Sequence, residues 1–316
     1  MTRGSVSARI QELKAKVTEL SPETVLTEGV EMSRLTTLRL GGPVDLLAEP
    51  SNVDGLQTLL RESSRLELPV TLIGQGSDLL VRDGGIRGLV IRLAGRFRGM
   101  TVTGQRMTVL AGTSMSAAAN EAAANDLAGL AFASGIPGTV GGGAYMNAGA
   151  YGGEMRQVIA RVDCFDMQGN PVSFSREELN FGHRHSALQE HPVAAHTIHF
   201  ELTPGDGAAL RQEMAELNRR RVEKQPLNYP SAGSTFKRPE GNYASALIDQ
   251  CGLKGCTIGG AQVSEKHAGF LLNRGGTAAD FLSLMAHVQQ VVRTQTGVQL
   301  EPEVCILGED APAVHL

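Results

Sequence analysis

The run Ala133-Ser-Gly-Ile-Pro-Gly-Thr-Val-Gly-Gly-Gly-Ala-Tyr-Met-Asn-Ala-Gly-Ala-Tyr-Gly-Gly-Glu154 constrains this chain more than any other segment. Residues without a Cβ let the backbone approach a bulky anion and aim successive N–H groups at it. Pro137 stiffens one turn, and Asn147 offers a specific hydrogen bond. The run never repeats, and Ile136, Val140, Tyr145 and Met146 interrupt it with apolar anchors, so it does not read as a flexible linker. Glycine is in excess across the chain, at 38 of 316 residues against an average of roughly 7%. That excess sits in a few loops, so a ligand or tight turns constrain the backbone there.

A second glycine loop follows a strand-like segment, Leu72-Ile-Gly-Gln-Gly-Ser-Asp-Leu-Leu-Val-Arg-Asp83. Leu79 stands where the dinucleotide fingerprint needs its third glycine, and no helix signal follows, so a Rossmann reading is weak. No Gly-x-x-x-x-Gly-Lys-Ser/Thr occurs, which removes a triphosphatase of that type. Two such loops in one α/β unit point to a diphosphate-bearing ligand held in another way.

The length implies two or three domains. Residues 7–19 read as an amphipathic helix. Strands at Val44–Ala48, Val70–Ile73 and Gly88–Leu93 alternate with a helix near Val53–Ser64. Hairpins are expected at 101–111, turning on Gly104-Gln105-Arg106, and at 158–174, turning on Gln168-Gly169-Asn170, with a strand at His196–Leu202. Ser114–Leu127 reads as an alanine-rich helix. Beyond Pro204-Gly205-Asp206-Gly207 come helices at Ala208–Glu223, at Tyr243–Cys251 and from Thr277 to a Gly297 cap. The last buries Phe281, Leu284, Met285, Val288 and Val292.

A net charge of −4 and the absence of tryptophan give no reason to expect nucleic acid or an anionic membrane. Cys164, Cys251, Cys256 and Cys305 form no Cys-x-x-Cys pair, so neither a zinc site nor a disulfide framework is expected. Charges interleave residues 1–20 and no apolar window is long enough to span a bilayer; the expectation is a cytoplasmic protein.

Seven motifs occur in order from about Leu35 to Val304. They are Leu35-Thr-Thr-Leu-Arg-Leu-Gly-Gly-Pro43, Ile73-Gly-Gln-Gly-Ser-Asp78, Gly135-Ile-Pro-Gly-Thr-Val-Gly-Gly142, Met146-Asn-Ala-Gly-Ala-Tyr-Gly152, Tyr229-Pro-Ser-Ala-Gly-Ser-Thr-Phe-Lys-Arg-Pro239, Gly260-Ala-Gln-Val-Ser-Glu-Lys-His267 and Leu300-Glu-Pro-Glu-Val304. Together they resemble the UDP-N-acetylenolpyruvoylglucosamine reductase (MurB) family, and the short link from Pro239 to Leu247 looks like its compact subtype. The resemblance implies a mixed α/β (α+β) chain: an FAD-binding fold of the vanillyl-alcohol oxidase/p-cresol methylhydroxylase type, then an α/β substrate-binding domain. The boundaries expected are an extension at 1–30, an FAD-binding region of two subdomains at 31–205, and a substrate domain at 206–316 whose tail carries Glu303.

The implied reaction is a hydride relay in peptidoglycan precursor synthesis. NADPH reduces FAD, and hydride then passes to C3 of the enolpyruvyl group of UDP-N-acetylglucosamine enolpyruvate, giving UDP-N-acetylmuramate. Such an addition needs a clamp on the developing enolate and an acid for C2. By the resemblance Ser234 is that acid, Arg184 pairs with the substrate carboxylate, and Glu303 stabilises the same group as a protonated acid. Read alone, Ser234 is equally a turn residue, Arg184 a surface ion-pair partner and Glu303 a solvated strand end. The cofactor side falls on Gly74, Gly76, Ser77, Asp78, Leu79, Ser134, Gly135, Pro137, Gly138, Thr139, Gly141, Gly142, Asn147 and Gly149. Lys224 matches a phosphate-binding lysine, Lys237 and Arg238 lie beside Ser234, and His267 falls near a uridine-side position. A monomer is implied, and no metal.

The chain departs from the pattern at Asp78, where asparagine is common, at His183, where a tyrosine precedes the arginine, and at Arg238, another frequent asparagine. His183 still offers one hydrogen bond to substrate. Two rivals remain: an oxidase on the same fold, and a non-catalytic nucleotide-binding module. Both predict loss of the Ser234, Arg184 and Glu303 set.

Overall fold

The computed structural model describes residues 3–311; the outermost residues of the 1–30 and 206–316 segments lie outside them. The α-helices among the described residues are α1 (Arg3–Leu20), α2 (Val53–Arg65), α3 (Met115–Ala124), α4 (Val140–Tyr145), α5 (Gly207–Lys224), α6 (Ala244–Gln250) and α7 (Ala278–Thr296). The chain forms two compact units from interleaved stretches. The first takes the described residues of Met1–Glu28, Asp45–Gln75 and Gly88–Arg219; the second takes those of Gly29–Val44, Gly76–Arg87 and Arg220–Leu316.

In the first unit a four-stranded sheet runs in the order Val25–Glu28, Val44–Glu49, Ile86–Arg92, Val70–Ile73. Its last two strands are parallel, with Val70 opposite Leu89. Leu46, Leu89 and Ile91 from this sheet share one core with Ile10, Leu13 and Val17 of α1 and Leu56, Leu59 and Leu60 of α2. The apolar residues recur at three- and four-residue spacing on both helices, so each presents a single stripe to the sheet. Asn52 starts α2 by accepting a bond of 2.8 Å from the N–H of Gly55.

A second, antiparallel sheet in this unit has the order Pro171–Ser175, Ile159–Asp166, Val193–Glu201, Arg106–Leu110, Met100–Thr103. Both expected hairpins form. In the first, Thr103 pairs with Arg106, so the turn is the two residues Gly104 (φ 60°) and Gln105, one shorter than expected. The alanine-rich helix also stops earlier than expected, at Ala124. Asp126 takes φ 55°, which no right-handed helix allows, and Leu127–Ala128 then pairs with Thr203–Pro204.

The second unit packs α6 and α7 against an antiparallel sheet of Thr257–Ile258, Ala261–Val263 and Leu271–Asn273. The five α7 residues named above are buried as expected, beside Leu38, Leu80, Leu247 and Val263. Thr277 and Asp280 cap the helix reciprocally, and Gly297 ends it at φ 75°. Asp83 accepts further bonds from the N–H groups of Ala278 and Ala279. Leu79–Val81 pairs in parallel with Cys305–Leu307.

Candidate active site

The glycine-rich run is not the continuous loop its composition suggests. Thr139 accepts a bond from the N–H of Gly142 at 3.2 Å and starts the short helix α4 directly on the glycines. Three consecutive glycines there face different surroundings. A Cβ on Gly141 would lie 2.7 Å from Ala111 Cβ, and one on Gly143 would lie 2.7 Å from Met115 Sδ. A Cβ on Gly142 would meet nothing nearer than its own cap, Thr139, at 3.5 Å. Packing therefore demands Gly141, and at Gly143 the flexible end of Met115 would have to give way, while protein packing leaves the absent side chain of exposed Gly142 unexplained. No protein side chain takes up the place beside Gly142.

The two glycine loops meet in the first unit. Gly74 is side-chain-free because Thr139 occupies the place, its Oγ1 2.5 Å from a Cβ built there. The neighbouring Gln75 accepts a bond of 3.0 Å from the N–H of Gly138. Sequence reasoning passed over Gln75; an amide between two glycines at the end of a strand was the available signal. Ser134, Gly135 and exposed Pro137 lead into this contact.

Asn147 is buried and saturated. Its amide donates to Glu154 Oε2 and to the Gly182 carbonyl, both at 2.8 Å, and its oxygen accepts from Arg156 N–H at 3.0 Å. It fastens the end of the glycine run to the Arg184 turn. Gly149 lies in a small hairpin where a Cβ would meet the Gly153 carbonyl at 2.6 Å.

Gly182 and His185 pair across the two-residue tip His183-Arg184, and Arg184 sits at φ 54°. A bulky residue in that region is strained by roughly 1–3 kcal/mol, and the surrounding bonds must hold it. Ser186 and Gln189 both donate to the Tyr145 carbonyl at the end of α4, at 2.7 and 2.8 Å, and Gln189 also reaches the Arg184 carbonyl at 3.1 Å. The half-buried guanidinium donates to the Gly149 carbonyl at 3.3 Å. His183 is exposed at the same tip, while His185 pairs with Glu190 at 3.0 Å.

Ser234 and Glu303 come together in the second unit with the Gly76–Leu79 loop. Ser234 bridges Phe270 and Phe236 bridges Pro302, so the 234–237 segment lies between two others. Thr235 fixes both sides: its N–H donates to Gly269 and its carbonyl accepts from Glu303 N–H at 2.8 Å. Ser234 is exposed, and its hydroxyl bonds to no group among the described residues. Cys305 N–H donates to the Asp78 carbonyl at 2.9 Å, which ties the glycine loop to the strand following Glu303. Thr37 completes the frame, its N–H bonded to Gly76 and its hydroxyl to the Ser231 carbonyl at 2.8 Å. Gly76 itself takes φ 67° against the Leu35 carbonyl. The Cys305 thiol is pushed up to about 11, by burial first and then by the carboxylates of Asp78 and Glu303, and stays protonated.

The expected substrate contacts differ in how committed they are. Lys224 is exposed at the last position of α5 and pairs with no group among the described residues. Lys237 lies 3.8 Å from Glu301. Arg238 stacks on the Tyr243 ring at 4.0 Å and donates to the Asn242 carbonyl. His267 packs edge-on against Phe270, and its Nδ1 accepts from Gly269 N–H at 3.2 Å. Burial holds its imidazole below the usual range, so it is neutral at pH 7 and Nε2 carries the proton.

Among the described residues no three His, Cys, Asp or Glu side chains gather as metal ligands, and no helix is long and apolar enough to cross a membrane.

Comparison with known proteins gives two domain matches in chain order. Residues 44–175 match the FAD binding domain, and residues 225–307 match the C-terminal domain of UDP-N-acetylenolpyruvoylglucosamine reductase. The UDP-N-acetylenolpyruvoylglucosamine reductase of Levilactobacillus brevis is 44% identical over 299 residues, covering 94% of this chain and 98% of that protein. The protein of the same name from Caldanaerobacter subterraneus subsp. tengcongensis is 45% identical over 295 residues, covering 93% and 97%. The crystal structure of the Thermus caldophilus reductase superposes with a TM-score of 0.78 at 34% identity, covering 90% of this chain and all (100%) of that one. The mixed α/β architecture, an FAD-binding domain with a reductase C-terminal domain, is thus the one expected. The chain belongs to the UDP-N-acetylenolpyruvoylglucosamine reductase family and is an FAD- and NADPH-using oxidoreductase of peptidoglycan precursor synthesis.

Proposed function

We propose that the substrate reduced is UDP-N-acetylglucosamine enolpyruvate and that Ser234, Glu303 and Arg184 act on it. The observation that carries this reading is the frame around Thr235, which sets an exposed, unengaged serine hydroxyl beside the Glu303 backbone. Ser234 donates its proton to C2 as the enolate develops; a serine is a feeble acid, but an enolate is a strong base. Arg184 holds the substrate carboxylate, and its αL turn fixes where the guanidinium starts before substrate arrives. Glu303 stabilises the same developing charge as a protonated acid, from the Leu-Glu-Pro-Glu-Val segment.

Bound FAD supplies a two-electron carrier that accepts hydride from NADPH and delivers it to C3 of the substrate. The residues suit it: Gly142 leaves an unfilled cradle on α4, and Gly74 and Gly138 bring the two loops together through Thr139 and Gln75. We assign Gly76, Ser77, Asp78, Leu79, Ser134, Gly135, Pro137, Thr139, Gly141 and Gly149 to the same cofactor, with Asn147 supporting it through the backbone it anchors. Lys224, Lys237 and Arg238 are assigned to the substrate diphosphate, His267 to its uridine side and His183 to the sugar side. The reading carries with it a compact-subtype, cytoplasmic, monomeric enzyme; sedimentation tests the last.

Anaerobic half-reactions test the function. NADPH bleaches the flavin, and the enolpyruvyl substrate restores it. Ser234→Ala leaves bleaching intact and slows restoration on the order of 10²–10⁴-fold, the usual scale for a positioned acid. Equal slowing of both halves removes Ser234 from the proton-donor role, and a protein that takes up no flavin overturns the whole reading.

A further inference from the structure

The second unit holds two arginines that the reaction described above does not use. Arg274 is exposed and lies over the exposed Tyr229 ring, its guanidinium carbon 4.2 Å from the ring centroid. Arg39 is exposed at φ 55°, a conformation that costs a non-glycine residue free energy and persists only when its surroundings impose it. Among the described residues no carboxylate pairs with either.

One side chain joins the two. The Asn273 amide donates to the Leu38 carbonyl at 3.0 Å and to the Arg39 carbonyl at 3.4 Å, while its oxygen accepts from Gly275 and Gly276 N–H at 2.9 and 3.0 Å. Arg274 N–H donates to the Gly260 carbonyl at 2.7 Å, and Asn273 N–H to the Pro230 carbonyl at 3.0 Å. Thr37 Oγ1 bonds Ser231 from the other side. The backbones carrying Arg39, Tyr229 and Arg274 are thereby locked into one patch. Stacking on tyrosine occupies one face of the Arg274 guanidinium and leaves its N–H edge for a planar or tetrahedral anion.

We propose that Arg274, stacked on Tyr229 and joined by Arg39, binds the 2′-phosphate of NADPH and sets the preference for NADPH over NADH. The proposal rests on the reductase reading above. That enzyme handles two nucleotides that both carry a diphosphate, so a clamp on the diphosphate does not tell them apart. NADPH alone carries a phosphate monoester, close to a dianion at neutral pH, and guanidinium edges without carboxylate partners match it in charge and hydrogen-bond geometry. A nearby carboxylate would weaken such a site, and this patch holds none in an ion pair.

The test uses the FAD-loaded protein and calorimetry with adenosine 2′,5′-bisphosphate and with 5′-AMP, which lacks the 2′-phosphate. The wild-type protein binds the bisphosphate tighter, by about 10- to 100-fold, the ratio expected for one or two charge-assisted hydrogen bonds. Arg274→Gln removes most of that ratio and leaves 5′-AMP affinity unchanged; Arg39→Gln removes a smaller part. Tyr229→Leu weakens the bisphosphate less than Arg274→Gln does. Equal wild-type affinities overturn the proposal, as does a ratio that survives in both arginine variants. A loss of UDP affinity in Arg274→Gln with the ratio intact also overturns it and gives the patch to the sugar nucleotide. Flavin bleaching by NADPH in the wild-type protein is measured alongside; its absence condemns the reductase reading itself, whereas bleaching without the 2′-phosphate ratio condemns only this site.

Discussion

Replacing Gly141, Gly142 and Gly143 with alanine, one at a time, separates packing from cofactor cradling within a single helix. In a helix interior alanine is favoured over glycine by roughly 0.5–1 kcal/mol, so each substitution starts with that gain. Gly142→Ala keeps it, because the new Cβ lies no closer than 3.5 Å to any protein atom. Gly141→Ala sets a Cβ 2.7 Å from Ala111 Cβ and 3.1 Å from the Ala111 carbonyl oxygen, which already accepts the Gly141 N–H at 2.8 Å. Neither backbone can retreat without losing that bond, and overpacking of this kind costs about 1–3 kcal/mol, more than the gain. Gly143→Ala meets the flexible end of Met115 at 2.7 Å and falls between the two. Thermal unfolding of flavin-free protein therefore ranks Gly142→Ala at or above wild type and Gly141→Ala below it by several degrees, at roughly 2–4 °C per kcal/mol for a chain of this size. Flavin titration reverses the order for Gly142→Ala, which loses affinity on the order of tenfold or more as the methyl fills the cradle. A Gly142→Ala protein with wild-type flavin affinity refutes the assignment of that face to the cofactor. One that unfolds earlier than Gly141→Ala refutes the packing argument as well.

Three further substitutions test the supports of the site. Asn147→Ala leaves the Gly182 carbonyl and the Arg156 N–H without partners in a buried setting; a stability loss of about 2–4 kcal/mol in denaturant unfolding is expected, while Asn147→Asp, which cannot donate to Gly182, recovers only part of it. At Asp163 burial pushes the carboxyl up, but hydrogen bonds from His199 and Ser173 with the charges of His199 and Arg161 outweigh it and hold the group below its ordinary value. A depressed carboxyl contributes stability that is complete above its unfolded value, about 3.9, and is lost as pH falls through the folded one. The stability gap between wild type and Asp163→Asn thus closes below about pH 4; a gap that widens in acid contradicts the pairing. Thr277→Ala removes the cap on the N–H of Asp280 and costs about 1 kcal/mol, readable as an earlier urea midpoint.

Much of the architecture is legible in the chain because single elements announce themselves. The apolar spacing from Phe281 to Val292, the threonine before it and the glycine after it specify α7 without reference to anything else. The hairpin at Gly169 is equally local: the Asp166 carboxylate accepts the N–H groups of Gln168 and Asn170 across the turn. Helix α4 is illegible for the opposite reason. Val-Gly-Gly-Gly-Ala-Tyr has poor helix propensity, and the Thr139 cap and its tertiary neighbours, Ala111 and Met115 among them, hold it in place. The second unit, drawn from three separate stretches, has no signature in sequence order. Accordingly Thr37, which ties Gly76 to Ser231, and Asn273, which ties Arg39 to Arg274, carry no motif that marks their roles. Ser234, Arg184 and Glu303 are picked out by the resemblance alone, since exposed serines and half-buried arginines and glutamates are common in any chain.

The glycine-rich run makes contacts in two directions. Its amino-terminal half meets the Gly74 loop through Thr139 and Gln75, and its helix packs on Ala111 and Met115. Its carboxyl end serves a different purpose: the Tyr145 carbonyl accepts Ser186 and Gln189, and Asn147 holds Gly182, so the strained Arg184 turn is mounted on the end of α4. One segment of six helical residues thus joins the face proposed for the cofactor to the starting position of an arginine. A substitution that strains the packing of α4 from the Met115 side, such as Gly143→Ala, is then expected to slow substrate-driven flavin reoxidation more than reduction by NADPH, because the Arg184 turn is bonded to the Tyr145 carbonyl. Equal effects on the two half-reactions, measured anaerobically by stopped flow, would show that the Arg184 turn holds its place independently of α4.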